Sequence, residues 1–450
     1  VEQDANEIWL ACLAVMSEVI LKSKIRPEQV AAIGISNQRE TSVLWDASTG
    51  LPVSPAIVWQ SKQTKSICDS WKEKGYEDVV KAKTGLRIDP YFSASKIRFI
   101  FDQNPDVYEK AKKGKVLFGT MDSWIVWKLS GSLTHITDVS NASRTLLFNI
   151  HTLSWDEELL EMFDIPRQIL PEVKPTSYAY CKTASYHFFG QEVPICSVVG
   201  DQQAALFGQG CFSAGGIKNT YGTGGFMLMN TGDKIVESKN GLLSTVAWQI
   251  GNQVNYALEG SIFVSGSLMK WLRDQLQLFE NTKDTQGMAE SVENTNGVYI
   301  VPAFVGLGAP YWDDACQATI VGLTFGANKN HIVRAALESM AYQSKDVLEA
   351  MKQDSQIEIS SMKVDGGAAA NNFLLQFQSD LLQMPVQRFK TNELTALGAA
   401  YLAGLSCGYW TQDELGVDLQ KEFVPEKSEE EMDSLYSNWK KAVKTCQSYK

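Results

Sequence analysis

Four short segments of this sequence combine residue types that can bind or transfer a small polar group. In one of them, Asp201 and Gln202 follow the apolar run Ile195–Val199. A carboxylate at the carboxyl end of a buried strand can accept a hydroxyl proton during phosphoryl transfer. An aspartate there is equally typical of a helix N-cap. The local pattern therefore predicts either a general base or a cap at Asp201.

A second segment places Arg39 and Glu40 side by side after the predicted strand 31–36. Arginine offers only donors and an ionised glutamate only acceptors, so together they suit the vicinal hydroxyls of a small polyol. Trp59 and Phe226 can cover the C–H face of such a molecule. Taken alone, these segments are more typical of a surface ion pair beside core aromatics.

Two glycine-rich corners complete the set. Glycine lets backbone N–H groups approach a ligand, and successive N–H groups can cradle phosphate oxygens. The loop 222–225, with the hydroxyl of Thr223, is the better phosphate candidate, although taken alone it is more typical of a tight hairpin turn. The run 365–372 can admit a nucleoside next to Asn371, or it can be a crowded strand–helix junction. Neither G-x-x-x-x-G-K-[ST] nor G-x-G-x-x-G occurs in the chain.

Short β-rich runs alternate with helical ones, which predicts an α/β protein with strands that end at these four segments. We expect a domain division near residues 208–212, where glycines cluster, and hence domains 1–208 and 209–450. The uncharged run 394–412 contains Thr, Gln and three Gly, so it indicates a buried helix and not a membrane span. The predicted strands are 31–36, 41–46, 56–59, 195–199, 218–221, 226–230 and 362–364.

Composition narrows the class of protein. The 450 residues carry 41 Lys and Arg against 52 Asp and Glu, a net charge of −11, which argues against a nucleic-acid binder. The eight cysteines include no C-x-x-C pair, and the four histidines are far apart. Buried thiols in a reducing cytoplasm are therefore expected, and a zinc cluster is not.

Taken together and in order, these segments resemble the FGGY carbohydrate kinase family of the actin-like ATPase superfamily. Within that family they are most similar to the members that phosphorylate glycerol, and the resemblance runs nearly end to end. The matching stretches are GISNQRETSVLWD at 34–46, AIVWQ at 56–60, IDPYFSASK at 88–96, GDQQAALFGQ at 200–209, NTYGTGGFMLMNTG at 219–232 and VDGGAAANNFLLQFQSD at 364–380.

The resemblance implies two ribonuclease-H-like domains that flank a central cleft, and transfer of the ATP γ-phosphoryl to glycerol to give sn-glycerol 3-phosphate. It implies Asp201 as general base and Mg²⁺ as the metal that it helps to hold. By the same resemblance, glycerol would be bound by Arg39, Glu40, Trp59, Tyr91, Asp201, Gln202 and Phe226. ATP would be bordered by Gly222, Thr223, Gly266, Lys270, Gly367 and Asn371, with Lys270 standing where relatives often have Gln.

His187 lies in a Tyr- and Phe-rich loop, Ser185–Gly190. Relatives of Gram-positive type carry a similar histidine, which implies phosphorylation by the histidine phosphocarrier protein of the phosphotransferase system. Added negative charge there would be expected to activate. The alternative is a loop histidine with an aromatic neighbour. The resemblance also implies a homodimer or homotetramer.

Relatives begin with a hairpin bearing D-x-G-T-[TS]-S, and Val1 aligns after it. We therefore expect the 450 residues to lack one metal-linked carboxylate, and to be inactive if the polypeptide starts at Val1. Two other functions stay open at this point. One is a kinase of another small polyol or a ketose; the other is a non-catalytic actin-like ATP-binding protein.

Overall fold

The computed structural model describes residues 1–449, which form a mixed α/β fold. Its strands are β1 Glu2–Gln3, β2 Ile33–Asn37, β3 Ser42–Asp46, β4 Ala56–Ile57, β5 Val116–Thr120, β6 Ile136–Asp138, β7 Phe148–Asn149, β8 Ser154–Trp155, β9 Glu172–Lys174, β10 Ser177–Lys182, β11 Pro194–Gly200, β12 Ile217–Tyr221, β13 Gly225–Gly232, β14 Leu243–Ile250, β15 Gln253–Ile262, β16 Tyr299–Val301, β17 Thr319–Val321, β18 Met362–Gly366, β19 Val386–Phe389 and β20 Leu419–Phe423.

The helices connect and cover these strands. They are α1 Ala5–Ser23, α2 Lys65–Glu73, α3 Glu77–Thr84, α4 Ser93–Gln103, α5 Pro105–Lys112, α6 Met121–Leu129, α7 Val139–Ala142, α8 Glu157–Phe163, α9 Asp201–Gly208, α10 Gly266–Asp274, α11 Asp284–Glu290, α12 Lys329–Ser355, α13 Asn372–Leu382, α14 Leu394–Ser406 and α15 Glu429–Ser448. Every strand predicted from the sequence is present, with ends displaced by up to two residues.

Two sheets carry the architecture. A four-stranded sheet has the order β1-β4-β3-β5, and a ten-stranded sheet has the order β2-β11-β10-β14-β15-β13-β12-β18-β19-β20. Strands β2 and β11 are parallel and end together, with Asn37 opposite Gly200. Strands β12 and β18 are also parallel, with Tyr221 opposite Gly366. The four segments singled out in the sequence therefore follow the carboxyl ends of two strand pairs in one sheet.

Helix α14 is shorter than predicted, because it ends at Ser406 and not near residue 412. It packs on the first half of the chain: Ser197 Oγ donates to the carbonyl of Ala399 at 2.7 Å, and Ser177 Oγ to that of Leu402 at 2.8 Å. A helix from the second half of the sequence thus covers strands of the first half. In residues 1–449 no helix is long and apolar enough to cross a membrane.

The contact between α14 and α9 depends on glycine. A Cβ added at Gly398 would lie 1.9 Å from the carbonyl oxygen of Ala204, and one at Gly208 would lie 2.0 Å from that of Leu394. Both obstacles are backbone atoms, which cannot rotate away. Since α9 begins at Asp201, the same contact positions the helix that carries this residue.

We predict that Gly398→Ala destabilises the protein. Alanine is favoured over glycine in a helix by about 1 kcal/mol, but overpacking against a rigid neighbour costs typically about 1–3 kcal/mol or more. The overpacking cost exceeds the gain in helix propensity because the obstructing atom is a backbone carbonyl oxygen. Denaturant unfolding measures the difference, and Gly416→Ala, where the added Cβ meets nothing within 4 Å, is the control. A Gly398→Ala protein as stable as the wild type would contradict this account of the helix contact.

Candidate active site

A tight turn after β2 places Arg39 and Glu40. Glu40 has a φ of 59°, in the left-handed region, and the N–H of Thr41 donates to the carbonyl of Arg39 at 2.6 Å. A non-glycine residue in this region costs of order 1–3 kcal/mol and persists only where its surroundings hold it. Both side chains are buried, at 2% and 1% exposure. The surface ion pair that the local sequence favoured is therefore wrong.

Two buried charges in this turn pair with two more from elsewhere in the chain. Arg39 Nη1 donates to Glu259 Oε2 at 2.5 Å, and Arg144 Nη2 donates to Glu259 Oε1 at 2.8 Å. Arg144 Nε donates to Glu40 Oε1 at 2.7 Å. We call Arg39, Glu40, Arg144 and Glu259 the buried charge cluster. Its two positive and two negative groups are paired by hydrogen bonds, the arrangement that a buried charge requires.

The pKa values follow from burial and from the partners. Burial alone would raise the pKa of Glu259, but Arg144 and Arg39 hold it at about 2. Burial raises the pKa of Glu40 more than Arg39 and Arg144 lower it. For the arginine the sign is opposite: burial alone would lower the pKa of Arg39, but the negative charge of Glu259 keeps it well above its ordinary value. Glu259 therefore anchors both arginines as a carboxylate at neutral pH.

Asp201 lies at the edge of this cluster. It is the first residue of α9 and Gly200 is the N-cap, so the cap interpretation of Asp201 is wrong. Its Oδ1 lies 3.3 Å from Arg39 Nε and accepts from the N–H of Gln202 at 2.8 Å, while its Oδ2 accepts from Gln202 Nε2 at 3.3 Å. The side chain remains 35% exposed. Asp201 thus presents a fixed carboxylate that a ligand can reach.

Three aromatic rings stand beside the carboxylate. Trp59 packs edge-on against both Tyr91 and Phe226, with ring centroids 5.7 and 5.9 Å apart. The hydroxyl of Tyr91 accepts from Arg39 Nη2 at 3.3 Å. Lys96 Nζ is buried and donates to the carbonyls of Pro90, Tyr91 and Phe92, which fixes the loop that carries Tyr91. All seven residues expected at the acceptor side therefore converge on one place.

The loop 222–224 joins β12 to β13, so the predicted hairpin is present. It also packs against the start of α10. The N–H of Gly266 donates to the carbonyl of Gly222 at 3.0 Å, and the carbonyl of Thr223 accepts from the N–H groups of Ser265 and Ser267. Gly222 and Thr223 are exposed. The structure thus joins three of the residues expected near ATP.

The second glycine corner meets the first. Gly366 has a φ of 88° and lies so close to Tyr221 that a Cβ would be 2.3 Å from its carbonyl oxygen, so this position is a crowded junction. Gly367 is different, because a Cβ there meets nothing within 4 Å. Asn371 caps α13 through the N–H of Leu374 and donates to Thr285 Oγ1 at 3.3 Å. The open surface thus begins at Gly367.

Lys270 is exposed on α10, one turn after Gly266, and its expected role stays a prediction. His187 is elsewhere: it packs edge-on against Trp9 at 4.9 Å and beside Tyr186 at 4.3 Å. Among residues 1–449 no group of three or more His, Cys, Asp and Glu is arranged to hold a metal. A Mg²⁺ ion that is held by one or two carboxylates and substrate phosphates would need no such group.

Sequence reasoning missed Arg144, Glu259 and Lys218. Glu259 offered a signal, since it is a lone charge within the apolar strand β15, and a buried charge implies a partner. Lys218 directly precedes the glycine-loop stretch that starts at Asn219. It is buried, and its Nζ donates to Gln202 Oε1. Nothing in the sequence around Arg144 distinguished it from a surface arginine.

Comparison with known proteins identifies the family. Residues 1–208 match the N-terminal domain of the FGGY family of carbohydrate kinases, and residues 217–407 match its C-terminal domain. The chain belongs to the FGGY family of carbohydrate kinases. Among curated FGGY relatives, the glycerol kinases of Geobacillus kaustophilus and Thermus thermophilus are 57% and 56% identical to it. Each match covers 100% of this chain and 91% of the relative.

Solved structures agree with this family assignment. The crystal structure of Plasmodium falciparum glycerol kinase with ADP superimposes with a TM-score of 0.92 at 36% identity, covering 99% of this chain and 90% of that one. A gluconate kinase from Lactobacillus acidophilus gives 0.89 at 21% identity, covering 100% and 90%, which bears on the fold alone. The two-domain FGGY kinase fold expected from the sequence is confirmed.

We predict that Glu259→Gln destabilises this FGGY-family chain by about 3–5 kcal/mol, because it leaves buried arginines without their shared counter-charge. The folded-state pKa of Glu259, about 2, lies below its ordinary 4.5. Its stabilisation is therefore present above pH 4.5 and is lost as pH falls towards about 2. Denaturant unfolding across this range should show that part of the pH dependence only in the wild type.

The exposed pair of Lys427 and Glu431 supplies the control, because Glu431→Gln should cost less than about 1 kcal/mol. Equal losses in the two variants would show that the buried charge cluster is no more important than a surface pair.

Proposed function

We propose that this protein transfers the γ-phosphoryl group of ATP to glycerol and releases sn-glycerol 3-phosphate and ADP, the entry step of glycerol catabolism. The observation that carries the proposal is the convergence of Asp201, the Arg39–Glu40 turn and the Trp59–Phe226 wall beside an exposed glycine loop. The naming of full-length relatives as glycerol kinases supports it.

The acceptor side suits a small polyol. Arg39 and Tyr91 supply N–H and O–H groups, while Glu40 and Asp201 supply oxygens that accept from hydroxyls. Trp59 and Phe226 give an apolar wall for the C–H groups of the carbon chain. A pentulose is longer and would meet these two rings, which is why glycerol is favoured over a larger polyol or a ketose.

Asp201 is proposed as the general base. Its carboxylate is exposed enough to meet a hydroxyl and is held by Arg39 and Gln202. In the reaction a glycerol hydroxyl oxygen forms a bond to the γ-phosphorus, the bond from that phosphorus to the bridging oxygen of ADP breaks, and the hydroxyl proton passes to Asp201. The base is positioned by its neighbours, so catalysis follows from orientation as well as from proton transfer.

The phosphate side fits ATP and Mg²⁺. The exposed backbone of Gly222 and Thr223 and the open space at Gly367 can accept phosphate oxygens without side chains in the way. Asp365 is buried with its Oδ1 lacking a hydrogen-bond partner, and Asp201 is partly exposed, so two carboxylates are at hand for a hydrated ion. When bound, Mg²⁺ would neutralise charge that develops on the phosphates. A non-catalytic ATP-binding protein would not need the polar groups and aromatic wall of the acceptor side, so this alternative is disfavoured.

His187 is proposed as a site phosphorylated by the histidine phosphocarrier protein of the phosphotransferase system. The imidazole is half-buried between Trp9 and Tyr186, and burial lowers its pKa, so the neutral nucleophilic ring predominates at neutral pH. Tyr186 and Phe189 beside it are 73% and 49% exposed, which gives a partner protein an apolar surface. We also expect a homodimer or homotetramer. All eight cysteines are free thiols in the described part of the chain, which supports a location in the reducing cytoplasm.

We predict that the full-length protein forms ADP in a glycerol-dependent manner and that Asp201→Asn lowers kcat by about 10²–10⁴-fold, because an amide cannot accept the proton. A coupled ADP assay measures turnover, and calorimetry should show unchanged ADP binding. Glycerol, dihydroxyacetone, erythritol and xylulose are compared as acceptors. Best turnover on xylulose would refute glycerol as the substrate, and undiminished turnover in the variant would refute Asp201 as the base.

We predict that phosphoenolpyruvate with the purified phosphocarrier system labels the wild type on histidine and raises its turnover. His187→Ala should take up no label and show no activation, while its basal turnover stays close to that of the wild type, since its ring contacts with Trp9 and Tyr186 are outside the candidate active site. His151→Ala, which removes an exposed histidine, is the matched control. Labelling of the His187→Ala variant would show that another residue is phosphorylated and would refute His187 as the site.

A further inference from the structure

Lys218 is a buried cation that no step of the proposed reaction uses. It lies on β12, and its ammonium group has three hydrogen-bond partners: Gln202 Oε1, Thr220 Oγ1 at 2.8 Å and the carbonyl of Phe226 at 3.2 Å. An ammonium group has three N–H donors and no acceptor. Each donor therefore has a partner, and the group is fixed in place between α9 and the β12–β13 hairpin.

The contact with Gln202 determines which way its amide faces. A side-chain amide has one acceptor end and one donor end, and only the acceptor end can meet an ammonium. Since Lys218 takes Oε1, the Nε2 end is turned towards Asp201 and donates to Oδ2 at 3.3 Å. Arg39 lies 3.3 Å from the other oxygen, Oδ1. The carboxylate is thus restrained at both oxygens.

We propose that Lys218 is a positioning residue for phosphoryl transfer, because it orients the amide of Gln202 and thereby the carboxylate of Asp201. The inference rests on the proposed function and extends it. Through Phe226 and Thr220 the same ammonium also contacts the two strands that support the loop 222–224. One cation therefore ties the acceptor side of the site to the phosphate side, so that the base and the phosphate loop keep a fixed separation.

Charge around Lys218 supports this arrangement. Burial lowers its pKa to about 8, and the fall is limited by the carboxylates of Asp365 and Asp201. The amine is therefore mostly protonated at pH 7 and acts as a donor. Burial raises the pKa of Asp365, and the positive charge of the same ammonium opposes that rise.

The test compares Lys218→Met with the wild type in the full-length protein. Methionine is unbranched and only one heavy atom shorter than lysine but has no donor, so Gln202 is free to turn. We expect kcat to fall about 10²-fold, the usual effect of a small misplacement, with the KM for ATP nearly unchanged. Lys218→Gln retains N–H donors, and its kcat should lie between those of the wild type and Lys218→Met. ADP binding by calorimetry verifies that each variant is folded.

Lys363→Met is the matched control. Lys363 is the register partner of Lys218 on β18, and its Nζ donates to the carbonyls of Gln209 and Gly210 at 2.8 and 3.0 Å. Loss of that lysine removes partly buried hydrogen bonds to backbone carbonyls but touches neither Gln202 nor Asp201. We expect it to lower stability and to leave kcat unchanged.

A double-mutant cycle tests the route through Gln202. Once Gln202→Met has removed the amide, adding Lys218→Met should lower kcat little further, since coupled residues are non-additive. Additive losses in the cycle would overturn the inference, as would a kcat for Lys218→Met within twofold of an active wild type. A wild type without glycerol-dependent turnover would overturn the proposed function first, and the inference with it.

Discussion

The buried charge cluster is the constraint on which the candidate site depends. Arg39, Glu40 and Arg144 come from the first half of the chain and Glu259 from the second, so the four groups pair only when both halves are folded together. A charge moved from water to a protein interior pays several kcal/mol unless its partners replace the lost hydration. A displaced strand in either half would therefore leave an unpaired buried ion, which makes the relative position of the halves specific.

The groups that a ligand can reach lie at the edge of the buried charge cluster. Arg39 belongs to the cluster through Glu259 and also reaches Asp201 and Tyr91, so it transmits the rigid geometry of the interior to groups that a ligand can touch. Asp201 is partly exposed although its partners are buried. A preorganised polar site of this type has little to rearrange when substrate binds, which is the source of much catalytic stabilisation.

Prediction from sequence succeeded where a local pattern carried the information. The strands, the glycine hairpin at 222–224 and Asp201 at the end of an apolar strand follow from alternation, turn residues and strand ends, which act over a few residues. It failed for partners that are distant in the chain. Arg39 and Glu259 are 220 residues apart, so no window of sequence contains the pair. Lys218 is only 16 residues from Gln202, but the two lie on a strand and a helix whose packing the local pattern does not predict.

The sequence by itself determined the family, the α/β class and the segments that supply the reactive groups, because those depend on residue type and short spacing. Only the tertiary structure decided that Arg39 and Glu40 are buried, that Asp201 is not a cap and that Lys218 turns the amide of Gln202. The physical reason is that burial, the pairing of charges and amide orientation are set by the surrounding groups. Those groups meet only after distant strands have assembled into one sheet.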